Sequence, residues 1–355
     1  MNKIDIFSIN DFETRVAKKK IVLFGAGRAM RGLFLIFAGK SFLNQIVYIV
    51  DNNKTVQNTM ATACGKKIAI KSPDYLADTI TSDNVILVTT ELHPEIYSQL
   101  ASMPQLKDTP IISAVQLKNL QIDEQITSVN LPDSFHVYKE QKIPKVIHYC
   151  WFGGNPIPAQ YKEWMASWKR FCPDYEIVEW NERNYDYKKN SYMEQAYKSG
   201  KWAFVTDYAR LDLIYKYGGL YFDTDVELIK NMDDFLFQDG FGGYYVDRRF
   251  STGLGIGARE KLPIMKKFRD LYNDRVFVDF DKKSERWSKN IKITPDILTE
   301  YINKCGFKYT NGIVDIEGFR IYPAPVLCGM IGNKLYTTDK TYTIHHFAGS
   351  WVPHD

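Results

Sequence analysis

One stretch, residues 202–228, limits what this chain can fold into. Phe204, Tyr208, Leu211 and Tyr215 recur at helical spacing, which predicts an amphipathic helix over Trp202–Tyr217. Gly218-Gly219 ends it, because glycine accepts the left-handed backbone that closes a helix. Leu220-Tyr221-Phe222 is then an apolar run long enough for one buried strand, and Asp223-Thr224-Asp225 follows at once. A helix reversed by a glycine pair into a buried strand makes an α/β unit, with its chemistry at the strand tip.

Two carboxylates one residue apart at a strand end are hard oxygen donors, costly to bury unless paired or bound to a metal. They suit Mg²⁺ or Mn²⁺, which favour carboxylates and keep substrate phosphate in their shell. Asp207 and Arg210 lie three apart on the preceding helix and share a face. An acid there can hold sugar or ribose hydroxyls, and the guanidinium fork can grip hydroxyl or phosphate oxygens. An intrahelical ion pair and an acidic turn would leave the same letters. Asp279-Phe280-Asp281 is a second Asp-x-Asp after an apolar run, without a helix-borne Asp/Arg partner, so it is not taken as the metal site.

The wider pattern separates the two. Val205-Thr206-Asp207-Tyr208-Ala209-Arg210, then Leu213, then Gly218-Gly219-Leu220-Tyr221-Phe222-Asp223-Thr224-Asp225 resembles ASDxxR…LxxxGGxYxDxD. That is the signature of glycosyltransferase family 32, sugar-transferring enzymes with a DXD motif, and the large clostridial toxin glucosyltransferases have a closely similar one. Thr206 stands where the family usually has Ser or Ala. Residues 143–154, IPKVIHYCWFGG, resemble the family's opening strand, and the tail from Ile344 to Trp351 resembles its terminal IHxWxxSW. Ile293-Thr294-Pro295-Asp296 resembles its TGP segment, with Pro295 in place of the glycine.

The resemblance implies a GT-A nucleotide-sugar transferase fold, retention of the anomeric configuration and Mn²⁺ or Mg²⁺ as cofactor. It implies Asp223, Asp225 and His345 as metal ligands, with Asp207, Arg210 and Tyr221 on the donor. Ser350 and Trp351 would contact the diphosphate, and Trp151 would stack on the base, worth about 1–3 kcal/mol. The expected partners are a UDP- or GDP-linked sugar and a saccharide or lipid-linked acceptor, in bacterial capsular or surface polysaccharide assembly. The glycines of residues 251–258 fit either a ligand approach or a bulged strand.

Residues 1–139 read as a separate Rossmann-like parallel sheet, with the transferase domain over 140–355. Ile21-Val22-Leu23-Phe24 runs into Gly25-Ala26-Gly27, and after a helical segment (residues 33–40) the strand Ile46–Val50 ends in Asp51. Asp51 lies 24 residues after Gly27, about where an acid would meet a ribose. The pattern resembles the small "FGAG…DN" domains that precede sugar-modifying enzymes. Gly25, Gly27 and Asp51 are therefore candidates for nucleotide binding, although a tight turn needs such glycines without any ligand. They also carry the alternative reading, a nucleotide- or NAD-binding protein acting through this domain.

A net charge of +4 is too mild to argue for nucleic acid. Five scattered cysteines without a CxxC fit reduced thiols and a cytoplasmic location. The opening MNKIDIFSINDFETR lacks the apolar core of a signal peptide. The longest apolar run, residues 33–38, falls short of a membrane span, which leaves at most peripheral contact with a bilayer.

Overall fold

The computed structural model describes residues 2–63, 65–90, 94–281, 286–289, 292–332 and 334–349. Two compact units divide the chain, Met1–Ser128 and Val129–Asp355. In the first, Lys66–Lys71, Ile46–Val50, Lys20–Phe24, Asn84–Val88 and Pro110–Ser113 lie side by side, all parallel. Numbered along the chain this is the order 3-2-1-4-5 of a doubly wound sheet. Every residue of Asn84–Val88 is buried, as a central parallel strand covered on both faces demands. The helix expected at residues 33–40 runs instead over Arg28–Ile36, fed directly by the turn at Gly27.

The second unit is built on a mixed eight-stranded sheet. Val146–Cys150 lies between Glu176–Trp180 and Gly219–Tyr221, parallel to both. Ile256–Ala258 then pairs antiparallel with Gly219–Tyr221, and Gly240–Tyr244 and Phe319–Tyr322 continue outward. The α/β class expected for both parts of the chain is the class observed. Composition put the domain boundary near Lys139; contacts put the division earlier. Asn130 N–H donates to the Asn311 carbonyl at 2.9 Å, and Phe135 is buried against Phe235 and Tyr322. The polar segment after residue 128 is thus a strap laid on the second unit.

The helix Trp202–Tyr217 has the bounds its sequence predicts, but it is not amphipathic. Every position from Phe204 to Ile214 is buried, Asp207, Arg210 and Asp212 included, because the helices Ser191–Lys198 and Pro263–Asp270 cover the side turned away from the sheet. Gly218 and Gly219 close it at φ 65° and 90°. A Cβ on Gly219 would come within 2.7 Å of the Val146 carbonyl oxygen, so the reversal needs glycine for space as well as for backbone sign.

His148 fastens this reversal. Its Nε2–H donates to the Gly218 carbonyl at 3.0 Å, while Trp180 Nε1–H donates to its Nδ1 at 3.1 Å. Burial holds the imidazole down, to about 4, against the pull of the Gly218 carbonyl. As pH falls, the unfolded chain takes up a proton that the folded one refuses. Stability present above about pH 6.5 is therefore lost as pH drops toward 4, by about 3 kcal/mol. Urea unfolding of His148→Gln should show a flatter decline across that window than the wild type; an unchanged slope would assign the decline to another group.

Candidate active site

The acids leave the sheet at a strand tip, in the link between Gly219–Tyr221 and Val226–Leu228. Val226–Leu228 pairs antiparallel with the tail strand Thr343–His345, setting Val226 opposite His345. Backbone pairing thus brings a distant imidazole to the motif. Asp223, Asp225 and His345 each place one ligand atom within 4.8 Å of the others. The tail also fixes Asp225: Ala348 N–H donates to its Oδ2 at 3.0 Å and His346 N–H to its carbonyl at 2.9 Å.

Asp223 is held from the helix. Arg210 Nη1 lies 3.1 Å from its Oδ2 and Nη2 lies 3.1 Å from its Oδ1, so both prongs of the fork engage. Tyr221 Oη donates to Oδ1 at 3.1 Å and carries the guanidinium over its ring at 5.1 Å. Arg210 Nη2 also donates to Thr206 Oγ1 at 2.6 Å, which gives a reason for a hydroxyl residue at that position. The fork expected to grip ligand oxygens is turned onto the first acid of the motif.

Asp207 lies 3.6 Å from Arg210 Nη2 and accepts from the Thr294 hydroxyl. Burial pushes its carboxyl up to about 6, outweighing the Arg210 charge. Thr294 is itself tied to the Tyr272 hydroxyl at 2.8 Å.

A cleft of about 700 Å³ joins Trp151, Asp207, Arg210, Asp223, Asp225 and His345. Trp151 enters half-buried from the end of Val146–Cys150, its Nε1 donating to the Asn155 carbonyl at 2.5 Å. Tyr221 is fully buried behind Asp223. Ser350 and Trp351 lie outside the described residues. Asp279 and Asp281 sit on the strand Val278–Asp281, paired in a hairpin with Arg286–Lys289.

Sequence reasoning missed Asp247 and Arg249, which line the cleft together with Gly253, one of the glycines of residues 251–258 that fitted either a ligand approach or a bulged strand. Gly253 belongs to a single turn, Thr252–Leu254, between the short strands Phe250–Ser251 and Ile256–Ala258. A Cβ there would stand 2.5 Å from Asp223 Oδ2, 3.5 Å from His345 Nε2 and 3.6 Å from Arg210 Nη1. The missing side chain leaves space among these groups, and two carboxylates with an imidazole are a donor set that fits Mn²⁺ or Mg²⁺. One feature of the tail bears on that fit. Phe347 N–H donates to His345 Nδ1 at 3.2 Å, so a neutral ring carries its proton on Nε2, which points at Asp225 Oδ1 at 3.4 Å. Presenting the Nε2 lone pair to a cation requires Phe347, at φ 49°, to release Nδ1.

In the first unit, Gly25 (φ 112°) would clash through a Cβ with Thr89 Oγ1 at 2.6 Å and Thr90 Cγ2 at 2.7 Å. Asp51 Oδ2 accepts from Ala26 N–H at 2.6 Å and Oδ1 from Asn53 N–H at 2.8 Å. The acid thus caps an amide of the glycine turn itself. Gly27 caps the helix Arg28–Ile36 from extended backbone.

Residues 158–247 match the family model described as the glycosyltransferase sugar-binding region containing a DXD motif. An uncharacterized glycosyltransferase of Acanthamoeba polyphaga mimivirus is 27% identical over 223 residues, covering 60% of this chain and 85% of that one. Inositol phosphoceramide mannosyltransferases 3 and 1 of Schizosaccharomyces pombe are 31% and 32% identical over 110 and 112 residues. Those two matches take in 28% of this chain and 30% and 34% of the yeast proteins, so the chain spans about a third of their length. Among solved structures, PaToxG glycosyltransferase aligns with a TM-score of 0.36 and 18% identity, over 52% of this chain and 75% of that one. The relatives found by sequence are glycosyltransferases, and the matched sugar-binding region, residues 158–247, contains Asp207, Arg210, Asp223 and Asp225.

Two outcomes test this geometry. A neutral Asp207 favours the folded state; that contribution is complete below about pH 4 and lost as pH rises through about 6. Asp207→Asn should therefore stabilise the metal-free protein at about pH 8 by on the order of 2 kcal/mol in urea unfolding. Gly253→Ala should displace the Asp223 carboxylate and weaken Mn²⁺ binding about tenfold by calorimetric titration. Unaltered affinity would remove Asp223 from the metal set.

Proposed function

We propose that this protein transfers a sugar, with retention of configuration, from a UDP- or GDP-linked donor to a saccharide or lipid-linked acceptor. Its setting would be bacterial capsular or surface polysaccharide assembly, at the cytoplasmic side. The observation that carries the reading is the convergence of Asp223, Asp225 and His345 on the wall of one cleft. These three residues would hold Mn²⁺ or Mg²⁺, which when bound supplies Lewis-acid neutralisation of the departing diphosphate, worth several kcal/mol.

The chain's own groups do the rest. Trp151 offers a half-exposed indole face for the base, and Asp207 takes ribose or sugar hydroxyls. Arg210 fixes Asp223 in place and shields the repulsion between the motif's acids. Ser350 and Trp351 would close on the diphosphate. Double displacement needs a carboxylate nucleophile beneath the anomeric carbon. The other cleft acids are engaged elsewhere: Asp207 with Arg210 and Thr294, and Asp247 with Arg249 at 2.6 Å. That favours front-face attack, with a diphosphate oxygen taking the acceptor proton. The first unit acts here as a scaffold, because Asp51 is committed to its own turn. Among the described residues no helix is long and apolar enough to cross a membrane, which leaves a peripheral encounter with any lipid-linked acceptor.

A thermal-shift panel of UDP- and GDP-sugars, mannose-bearing donors included, run with Mn²⁺ and beside NAD(H), tests the reading. One donor class should raise the melting temperature by several degrees in a metal-dependent way, and Asp225→Asn should abolish the rise. Stabilisation by NAD(H) alone would move the function to the first unit.

A further inference from the structure

One wall of the cleft is not used by the donor-side groups. The turn between Gly240–Tyr244 and Phe250–Ser251 is tight, with Arg248 N–H donating to the Tyr245 carbonyl at 2.8 Å and Arg248 itself at φ 67°. It turns two side chains into the cleft beside the metal set, Asp247 and Arg249. Arg249 binds Asp247 Oδ2 through Nε at 2.8 Å and Nη2 at 2.6 Å. Its remaining prong, Nη1, reaches Asp296 Oδ1 at 3.2 Å, in the first turn of the helix Thr294–Lys304. The Asp247 side chain is 9% exposed and that of Asp296 is 43% exposed. Above them the rings of Tyr245 and Phe347 meet edge to face at 5.3 Å, and Phe347 is 42% exposed.

The charges of the group do not cancel: Asp247 and Arg249 line the cleft, and Asp296 follows its lining residues Thr294 and Pro295. Two carboxylates share one guanidinium, which leaves one negative charge. The Arg248 guanidinium lies over the Tyr309 ring at 4.7 Å. Arg210 is committed to Asp223, and the other described cation lining the cleft, Lys201, adjoins Trp202 at the proposed base end. A phosphate or carboxylate placed on this wall would meet like charge in a partly desolvated site. Hydroxyl groups would meet acceptors already oriented by Arg249, and the exposed ring offers flat apolar surface to the face of a pyranose.

We infer that Asp247, Arg249 and Asp296, with the rings of Tyr245 and Phe347, form the acceptor subsite, and that its ligand is a neutral saccharide presenting hydroxyl pairs. The inference rests on the transferase reading above and narrows its acceptor. In the step it serves, the oxygen of one acceptor hydroxyl forms the new bond to the anomeric carbon. The bond from that carbon to the diphosphate oxygen breaks, and the diphosphate leaves with the electron pair. The acceptor proton passes to a diphosphate oxygen. Asp247 and Asp296 bind and orient neighbouring hydroxyls and take no part in bond exchange.

The test uses the full chain with Mn²⁺ and the donor found by the panel. Transfer is measured to methyl glucoside, methyl galactoside and methyl mannoside, to their octyl counterparts, to methyl glucuronide and to glycerol 3-phosphate. Neutral glycosides should be used at least about tenfold better than both anions at low salt. Asp296→Asn should raise the acceptor KM about fivefold or more and narrow that preference, while the donor's thermal shift is kept; Asp296→Glu should restore the preference in part. Use of octyl but not methyl glycosides would identify the neutral sugar as the head of a lipid-linked glycan; equal use would point to a free saccharide. Three results overturn the inference: an anionic acceptor preferred, neutral glycosides ignored while water hydrolyses the donor, or Asp296→Asn without effect on KM and preference. Absence of any donor binding would instead sink the transferase reading.

Discussion

The buried pair of Arg210 and Asp223 is the contact on which the site depends. A guanidinium that is 5% exposed is tolerable only if its donors are satisfied, and here they reach Asp223, Thr206 and Thr252. The pair ties the central helix to the strand tip and so fixes where the acidic motif leaves the sheet. Leaving either charge without its partner would cost about 3–5 kcal/mol, more than most single changes in a core. Tyr221 adds a hydroxyl from the strand itself, kept as a phenol because burial pushes its pKa far above the ordinary value.

From that fixed point the tail completes the site through sheet register. A shift of one residue in the pairing of Val226–Leu228 with Thr343–His345 would turn His345 to the opposite face. Hydrogen bonds from His346 and Ala348 to Asp225 oppose such a slip. Phe347 then leaves the strand in left-handed backbone, sets its ring tilted against His345 with centroids 4.2 Å apart, and donates its N–H to Nδ1. The imidazole, the second acid and the tail are thus tied to one another by hydrogen bonds.

Much of this was legible in the sequence where the signal is local. Both ends of the helix Trp202–Tyr217 were readable, because a glycine pair stops a helix wherever it stands. The strands Ile46–Val50 and Pro110–Ser113 were readable as apolar runs of strand length. The helix's character was not. Phe204, Tyr208, Leu211 and Tyr215 mark one face, but whether the opposite face is covered depends on the separate helices Ser191–Lys198 and Pro263–Asp270. The glycines around Gly253 left two readings open and Asp296 was noted only within its motif, because the contacts that join Asp296 to Asp247 and Arg249 run between separate elements. Asp51 shows the converse: a ribose-binding acid and a turn-capping acid leave identical letters, and what the fold adds is its bond to the Ala26 amide.

Burial of a charge does not by itself mark a functional residue, and the central helix supplies its own control. Asp212, one turn beyond Asp207, is the more deeply buried of the two, 2% exposed against 7%. Burial pushes its carboxyl up, yet Lys189, Lys216 and the Tyr185 hydroxyl bring it below the ordinary value, and Arg269 approaches at 3.3 Å. It is a compensated structural anion. Asp207 faces a single cation at 3.6 Å whose fork is already engaged, and burial prevails. An acid left under-compensated on the wall of a cleft costs stability that the fold does not recover from its own contacts, and a donor hydroxyl is the kind of group that would supply the missing partner. The difference between the two acids lies in how far neighbouring cations compensate them, not in the burial they share.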